Sequence, residues 1–183
     1  MRENLKDYPK RINHILGVKK RALELGKIYQ ADLEVLEVAA LLHDITKEEP
    51  LEVQKKLIAD SQILTNYPLE MYHAYSAAKF AADLGINDQR IIEAIKYHIF
   101  GKIKMNIETM IICVSDYCEE NREFKAAQKA YQIALKNLTK AYLYSLKKTF
   151  QCLKKQNIKI HPEQIKTYHY YKRKKGQIDG STH

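Results

Sequence analysis

Apolar residues recur at helical spacing along most of the chain. From Arg11 to Tyr29 they fall at Ile15, Val18, Ala22, Leu25 and Tyr29, which predicts an amphipathic helix started by Pro9. Val35, Leu36, Val38, Ala39 and Leu42 predict a second over 33–44, with Asp32 as N-cap and Lys47-Glu48-Glu49-Pro50 as its stop. A short amphipathic helix follows over 51–58, and Asp60-Ser61 with Asn66-Tyr67-Pro68 marks a loop. Helices are expected over 71–84, closed by Gly85, and over 88–97, capped by Asn87. Another opens at Met105 or Asn106 and runs through Asp116. Lys125 to Lys155 reads as one bent helix or two, joined at Asn137-Leu138-Thr139, and Asn157 ends it. His161-Pro162 starts a last short helix, and the basic run Lys172-Arg173-Lys174-Lys175-Gly176 is expected to be a mobile tail.

Composition supports an all-α chain. Glycine (6) and proline (4) are scarce in 183 residues, so few positions break a helix. The length suits a single domain, residues 1–183, with a core that needs no staples. The formal net charge of +9 suits a nucleotide, nucleic acid or anionic surface as partner. It equally suits a Lys-heavy, well-solvated surface, and charge does not choose between the two. Cys113, Cys118 and Cys152 form no Cys-x-x-Cys pair, as expected of free thiols in a reducing cytosol. Met1-Arg2-Glu3-Asn4 lacks the apolar region of a signal peptide, and no apolar run approaches the roughly 18 residues of a membrane span. A cytoplasmic location without a membrane partner is expected.

The candidate chemistry centres on Leu41-Leu42-His43-Asp44, where an apolar run ends in an adjacent His-Asp pair. Neighbouring side chains on a helix diverge by about 100°, so both reach one ion only where the helix ends. Imidazole nitrogen and carboxylate oxygen suit divalent Zn, Mn or Fe. Leu41 and Leu42 would hold the pair in the core. His14, His43, His73 and His98 each lie at or near the end of a different predicted helix, and Asp44 and Asp116 have similar settings. A helical bundle converges ligands in this way. Six such groups exceed the needs of one ion with open positions, and suit two ions bridged by Asp44.

The order His14, His43-Asp44, His73, His98, Asp116 resembles the HD-domain metal-dependent phosphohydrolases. Four segments narrow the likeness: 41–47, His73-Ala74-Tyr75-Ser76-Ala77-Ala78, His98-Ile99-Phe100-Gly101, and Ser115-Asp116-Tyr117-Cys118-Glu119-Glu120-Asn121-Arg122. They are similar to the YqeK family of bacterial symmetrical diadenosine tetraphosphatases, over roughly residues 11–170. The resemblance implies a helical HD-domain bundle and cleavage of diadenosine tetraphosphate into two ADP. It implies a dinuclear centre of two divalent or trivalent ions, iron first, with Mn, Co, Zn or Mg as other occupants. Carried over by position, the metal ligands are His14, His43, Asp44, His73, His98 and Asp116. The catalytic set is His43, Asp44, Lys47 and Arg122, with Lys47 and Arg122 on substrate phosphate. Ile99 and Ser115 depart from the family's usual Thr and Ala.

Plainer readings stand beside these. Lys47 has Glu48 and Glu49 as alternative partners, and Arg122 has Glu119 and Glu120. His161, His169 and His183 read as surface or core residues, and Cys113 and Cys118 as packing. Tyr168, Tyr170 and Tyr171 beside Lys172-Arg173 would stack a base or pack the last helix. The same metal site would serve a nucleotidase or a guanosine tetraphosphate hydrolase, and the charge alone would serve an RNA- or nucleotide-binding module. The intact ligand set argues against that module, and nucleic acid is not the expected partner. The oligomeric state stays open, a homodimer included.

Overall fold

Pro9, which has no N–H to leave unsatisfied, opens α1 (Pro9–Tyr29). The computed structural model describes Leu5 and residues 7–179, with side chains as far as Lys174. Asp32 accepts hydrogen bonds from the N–H groups of Glu34 and Val35 and starts α2 (Leu33–Leu42), as its position predicts. α2 ends two residues before the expected 44. Beyond it the N–H groups of Ile45, Lys47 and Glu49 bond three residues back, to Leu42, Asp44 and Thr46, so the chain continues as tight turns. His43 and Asp44 therefore sit where the helical ladder gives way.

α3 (Leu51–Ile58) follows the expectation. The segment expected as loop contains α4 (Ser61–Asn66), because Asp60 caps it by accepting from the Gln62 N–H. The same residue types mark turns and helix starts, which is why the pattern misleads. A 3-10 turn (Leu69–Met71) leads into α5 (Tyr72–Asp83), and Gly85 follows with φ +87°. Asp88, one residue later than expected, caps α6 (Gln89–Tyr97), and Asn106 caps α7 (Ile107–Cys118). The stretch 125–155 is two helices, α8 (Lys125–Ala134) and α9 (Leu138–Lys155), with Asn137 capping the second. The last helix, α10 (Pro162–Asp179), is long and continues through the basic run. Lys, Arg and Gln are good helix formers, and one Gly176 costs only about 1 kcal/mol relative to Ala. His183 lies outside the described residues.

Among the described residues every α or 3-10 element is helical and none is a strand. α7 is the axis of the bundle. Nine of its residues are buried, from Glu108 through Ser115 and at Cys118, and it packs against α1, α2, α6, α8 and α9. A helix apolar nearly all round is stable only inside. α1 and α2 pack as a pair on one side of it, and α5 and α6 pack as a pair with α6 against it. α9 and α10 close the far side, where Tyr171 is buried edge-on to Tyr142 and its hydroxyl accepts from the Met105 N–H at 2.9 Å. Tyr171 is thus a packing residue. None of the described helices is long and apolar enough to cross a membrane.

Candidate metal centre

The six groups singled out by sequence meet at one end of α7. His14 comes from the second turn of α1, His43 and Asp44 from the end of α2, and His73 from the first turn of α5. His98 follows α6, and Asp116 lies in the last turn of α7. All four imidazoles and Asp44 are buried, while 24% of the Asp116 side chain is exposed. Ala39, Ala40 and Ile45, close in sequence to the His-Asp pair, are buried with it; Leu41 and Leu42, expected to hold it in the core, are only partly buried.

The groups divide about Asp44. Its Oδ2 lies 3.7 Å from His14 Nε2 and 3.8 Å from His43 Nε2. Asp116 Oδ1 completes that side, 3.0 Å from His14 Nε2 and 4.0 Å from His43 Nε2. Asp44 Oδ1 faces the other way, 3.2 Å from His73 Nε2 and 3.4 Å from His98 Nε2, which are 3.3 Å apart. Donor atoms held about 2.0–2.2 Å from one ion stand roughly 3 Å apart when adjacent and 4 Å apart when opposite. Each side of Asp44 matches that spacing.

The donor chemistry fits cations as well. His14 Nε2, His43 Nε2 and Asp44 Oδ1 are buried with no hydrogen-bond partner, an arrangement that costs free energy unless something fills it. His43 Nδ1 donates to the Ala40 carbonyl at 2.7 Å, and His98 Nδ1 to that of Ile95 at 2.7 Å. Each bond puts the ring proton on Nδ1 and leaves Nε2 as a lone pair facing the cluster.

Electrostatics reinforce this. Burial lowers the pKa of His43 and of His73 to about 4, so both are neutral at neutral pH, the form that ligates. Burial alone would raise Asp44, but the neighbouring imidazoles, His43 first and then His73 and His98, outweigh it and hold the carboxyl well below its ordinary value. Asp116 is depressed in the same way, with His14 its main counterweight to burial. For His14 burial lowers the pKa, yet the carboxylates of Asp116, Asp44 and Glu119 raise it on balance.

Lys47 and Arg122 both reach the cluster. Lys47 Nζ lies 2.9 Å from His73 Nε2 and 3.1 Å from Nδ1, not on Glu48 or Glu49, and burial lowers its pKa. Arg122 is half-exposed at the mouth, 3.4 Å from Asp116 Oδ1 and 3.7 Å from Glu119 Oε1. His161 stands apart, stacked on Tyr67. Cys113 is a packing residue whose thiol bonds the Tyr97 carbonyl at 3.3 Å, and burial pushes the Cys118 thiol up to about 12. Ser115 is fully buried with its hydroxyl unpartnered.

Two site residues escape the sequence reading. Arg11 donates from Nη1 to Asp44 Oδ2 at 2.6 Å and from Nε to Glu48 Oε1 at 2.8 Å. Glu119 is buried and accepts from His14 Nδ1 at 3.3 Å and from the Asn121 N–H at 2.7 Å. The available signal is spacing: Arg11 is three residues before His14 and Glu119 three after Asp116, one turn away on the same face. Glu119 also explains Gly17, since a Cβ there would strike its carboxylate and lie 2.9 Å from Asn121 Nδ2.

Two cavities open beside the cluster and share Arg122. One, about 790 Å³, is lined by Tyr8, Arg11, His14, Glu48 and Glu119 among others. The second, about 640 Å³, runs from Asp116 to Tyr117, Phe124 and Leu146.

The HD domain family matches residues 11–121. A symmetrical bis(5'-nucleosyl)-tetraphosphatase of Bacillus subtilis (strain 168) is 33% identical over 161 residues, covering 86% of this chain and 87% of that one. The protein of the same description from Halalkalibacterium halodurans is 33% identical over 162 residues, with the same coverage of both chains. Among solved structures, a predicted HD superfamily hydrolase involved in NAD metabolism from Clostridium acetobutylicum superposes with a TM-score of 0.87 at 28% identity, covering 94% of this chain and 93% of that one.

Proposed function

This chain belongs to the HD-domain family, alongside symmetrical bis(5'-nucleosyl)-tetraphosphatases, and from that premise we propose that it cleaves diadenosine tetraphosphate into two ADP at a dinuclear metal centre. The observation that carries the reading is the division of donors about Asp44. Asp44 Oδ2 faces His14 and His43, which Asp116 also approaches, and Oδ1 faces His73 and His98. A single ion would not call for both sets. Iron is the expected metal, and nitrogen and oxygen donors also accept Mn, Co or Zn. When bound, the metals supply the Lewis acidity that activates water and polarises phosphoryl oxygens.

The remaining roles belong to the chain. The Ala40 and Ile95 carbonyls fix the tautomers of His43 and His98, and Glu119 orients His14. Lys47 and Arg122, one on each side of the cluster, offer cations to the charge that develops on the phosphoryl oxygens. Water adds to one of the two central phosphorus atoms, and the central P–O–P bond breaks. The leaving ADP is a stable anion, so its departure needs no strong general acid.

Metal analysis of freshly purified protein, followed by chromatography of the products from diadenosine tetraphosphate, tests the reading. Two metals per chain and ADP as sole product are expected. His43→Ala and Asp44→Ala should lose metal and turnover together. AMP with ATP as products, or activity retained by either variant, would overturn it.

A further inference from the structure

α9 turns one face, Tyr142, Ser145, Leu146, Thr149, Cys152 and Leu153, into the second cavity. The spacing of these residues is that of one helix stripe. Tyr142, Ser145 and Leu146 are buried and close its floor. Across from them stand Tyr117, on the turn of α7 that carries Asp116, and Phe124. Phe124 is 44% exposed and meets Tyr117 edge-on at 5.5 Å. It occupies the N-cap of α8 with no side-chain cap bond, where Ser, Asp or Asn would stabilise the helix better. Apart from its edge-on contact with Tyr117, the ring stands open at the rim of the cavity. Lys148 and Lys155 contribute cations to the lining, and Thr149 and Gln151 contribute hydrogen-bonding groups. The volume falls in the roughly 300–1,000 Å³ range of small-molecule sites.

We propose that this cavity seats the base and ribose of one nucleoside of a dinucleoside polyphosphate, with the phosphates running past Arg122 to the Asp116 side of the cluster. The inference rests on the hydrolase reading above. An apolar, aromatic-edged pocket with a few polar groups suits a nucleobase, which stacks on aromatic rings through its π-face. Continuity with the cluster comes from Asp116 and Arg122, which belong to both. The second nucleoside diphosphate then falls on the polar side of Arg122, beside Arg11 and Tyr8.

The pocket carries its own reporter. Cys152 lines it and is exposed, whereas Cys113 and Cys118 are buried. In metal-loaded wild-type protein, the rate of Cys152 alkylation by iodoacetamide is measured with ADP or with pyrophosphate, and the site is verified by peptide mass. ADP at about ten times its Kd should slow labelling about tenfold, since only the free fraction reacts. Pyrophosphate, which has no nucleoside, should change it less than about twofold. Phe124→Ala should raise KM for diadenosine tetraphosphate about tenfold while metal content stays unchanged. If the enzyme cleaves that substrate but ADP leaves Cys152 labelling unchanged, or if pyrophosphate protects equally, the nucleoside lies elsewhere and this inference fails. Absence of both cleavage and protection would instead overturn the hydrolase reading beneath it.

Discussion

Arg11 and Asp44 form an ion pair of 2.6 Å at the centre of the cluster, joining the first turn of α1 to the carboxylate that faces both histidine groups. The guanidinium fixes the rotation of that carboxylate. Without it, Asp44 is free to turn and leave one side short of an oxygen. Arg11→Ala should therefore weaken binding of the second metal about 10- to 100-fold, the usual effect of losing a group that orients a ligand. Metal content after dialysis against graded free metal reads this directly. Two metals retained at the wild-type midpoint would show that Asp44 needs no such brace.

Glu119 and Gly17 should fail together. Glu119→Ala removes the acceptor that orients His14, with an expected loss of about 10- to 100-fold in metal affinity. Gly17→Ala gains about 1 kcal/mol of helix propensity, yet its Cβ drives the buried Glu119 carboxylate off its bonds to His14 and the Asn121 N–H. Overpacking of this kind costs about 1–3 kcal/mol, so the variant should be no more stable than wild type and should share the affinity loss. A Gly17→Ala protein with raised urea midpoint and normal metal binding would contradict the account.

Ser115 offers a gain. Its hydroxyl is fully buried without a partner, a situation worth about 1–3 kcal/mol of penalty. Ser115→Ala should stabilise the protein by about 1 kcal/mol or more in urea unfolding. A lowered midpoint would mean that the hydroxyl does something the fold depends on.

Acid should destabilise the metal-free protein before its carboxylates titrate. His43 and His73 have folded pKa values of about 4, below their ordinary 6.5, so the unfolded chain binds their protons first. Stability is complete above pH 6.5 and falls as pH drops toward 4, by about 3 kcal/mol for each residue. His14, raised above 6.5, acts in the opposite sense, and its contribution is lost as pH rises through its folded pKa. Asp44 and Asp116, both depressed, are lost only below the ordinary carboxylate range. Urea titrations of chelator-treated protein at pH 6.5 and 4.5 check the sign: equal stability at both would mean the two imidazoles are charged in the fold.

Helices were legible because their faces repeat and because caps such as Asp32, Asn106 and Asn137 carry distinctive side chains. α4 was not, since Asp60-Ser61 fits a turn as well as a helix start. Nor was the length of α10, whose basic stretch looks like a solvated tail. The six clustered groups were legible because His is rare and the His-Asp pair ends an apolar run. Arg11 and Glu119 were not, because Arg and Glu are common on surfaces and only tertiary packing buries these two. His161, read from the sequence as a surface or core residue, stacks on Tyr67 away from the cluster.

The six donors arrive on five separate stretches of chain, and the last of them, Asp116, belongs to the axial helix α7. No shorter N-terminal fragment can assemble the full set. Under the proposed assignment, the growing polypeptide must extend past its midpoint before it could hold both metals, so loading of the second would have to wait until α7 has joined the bundle.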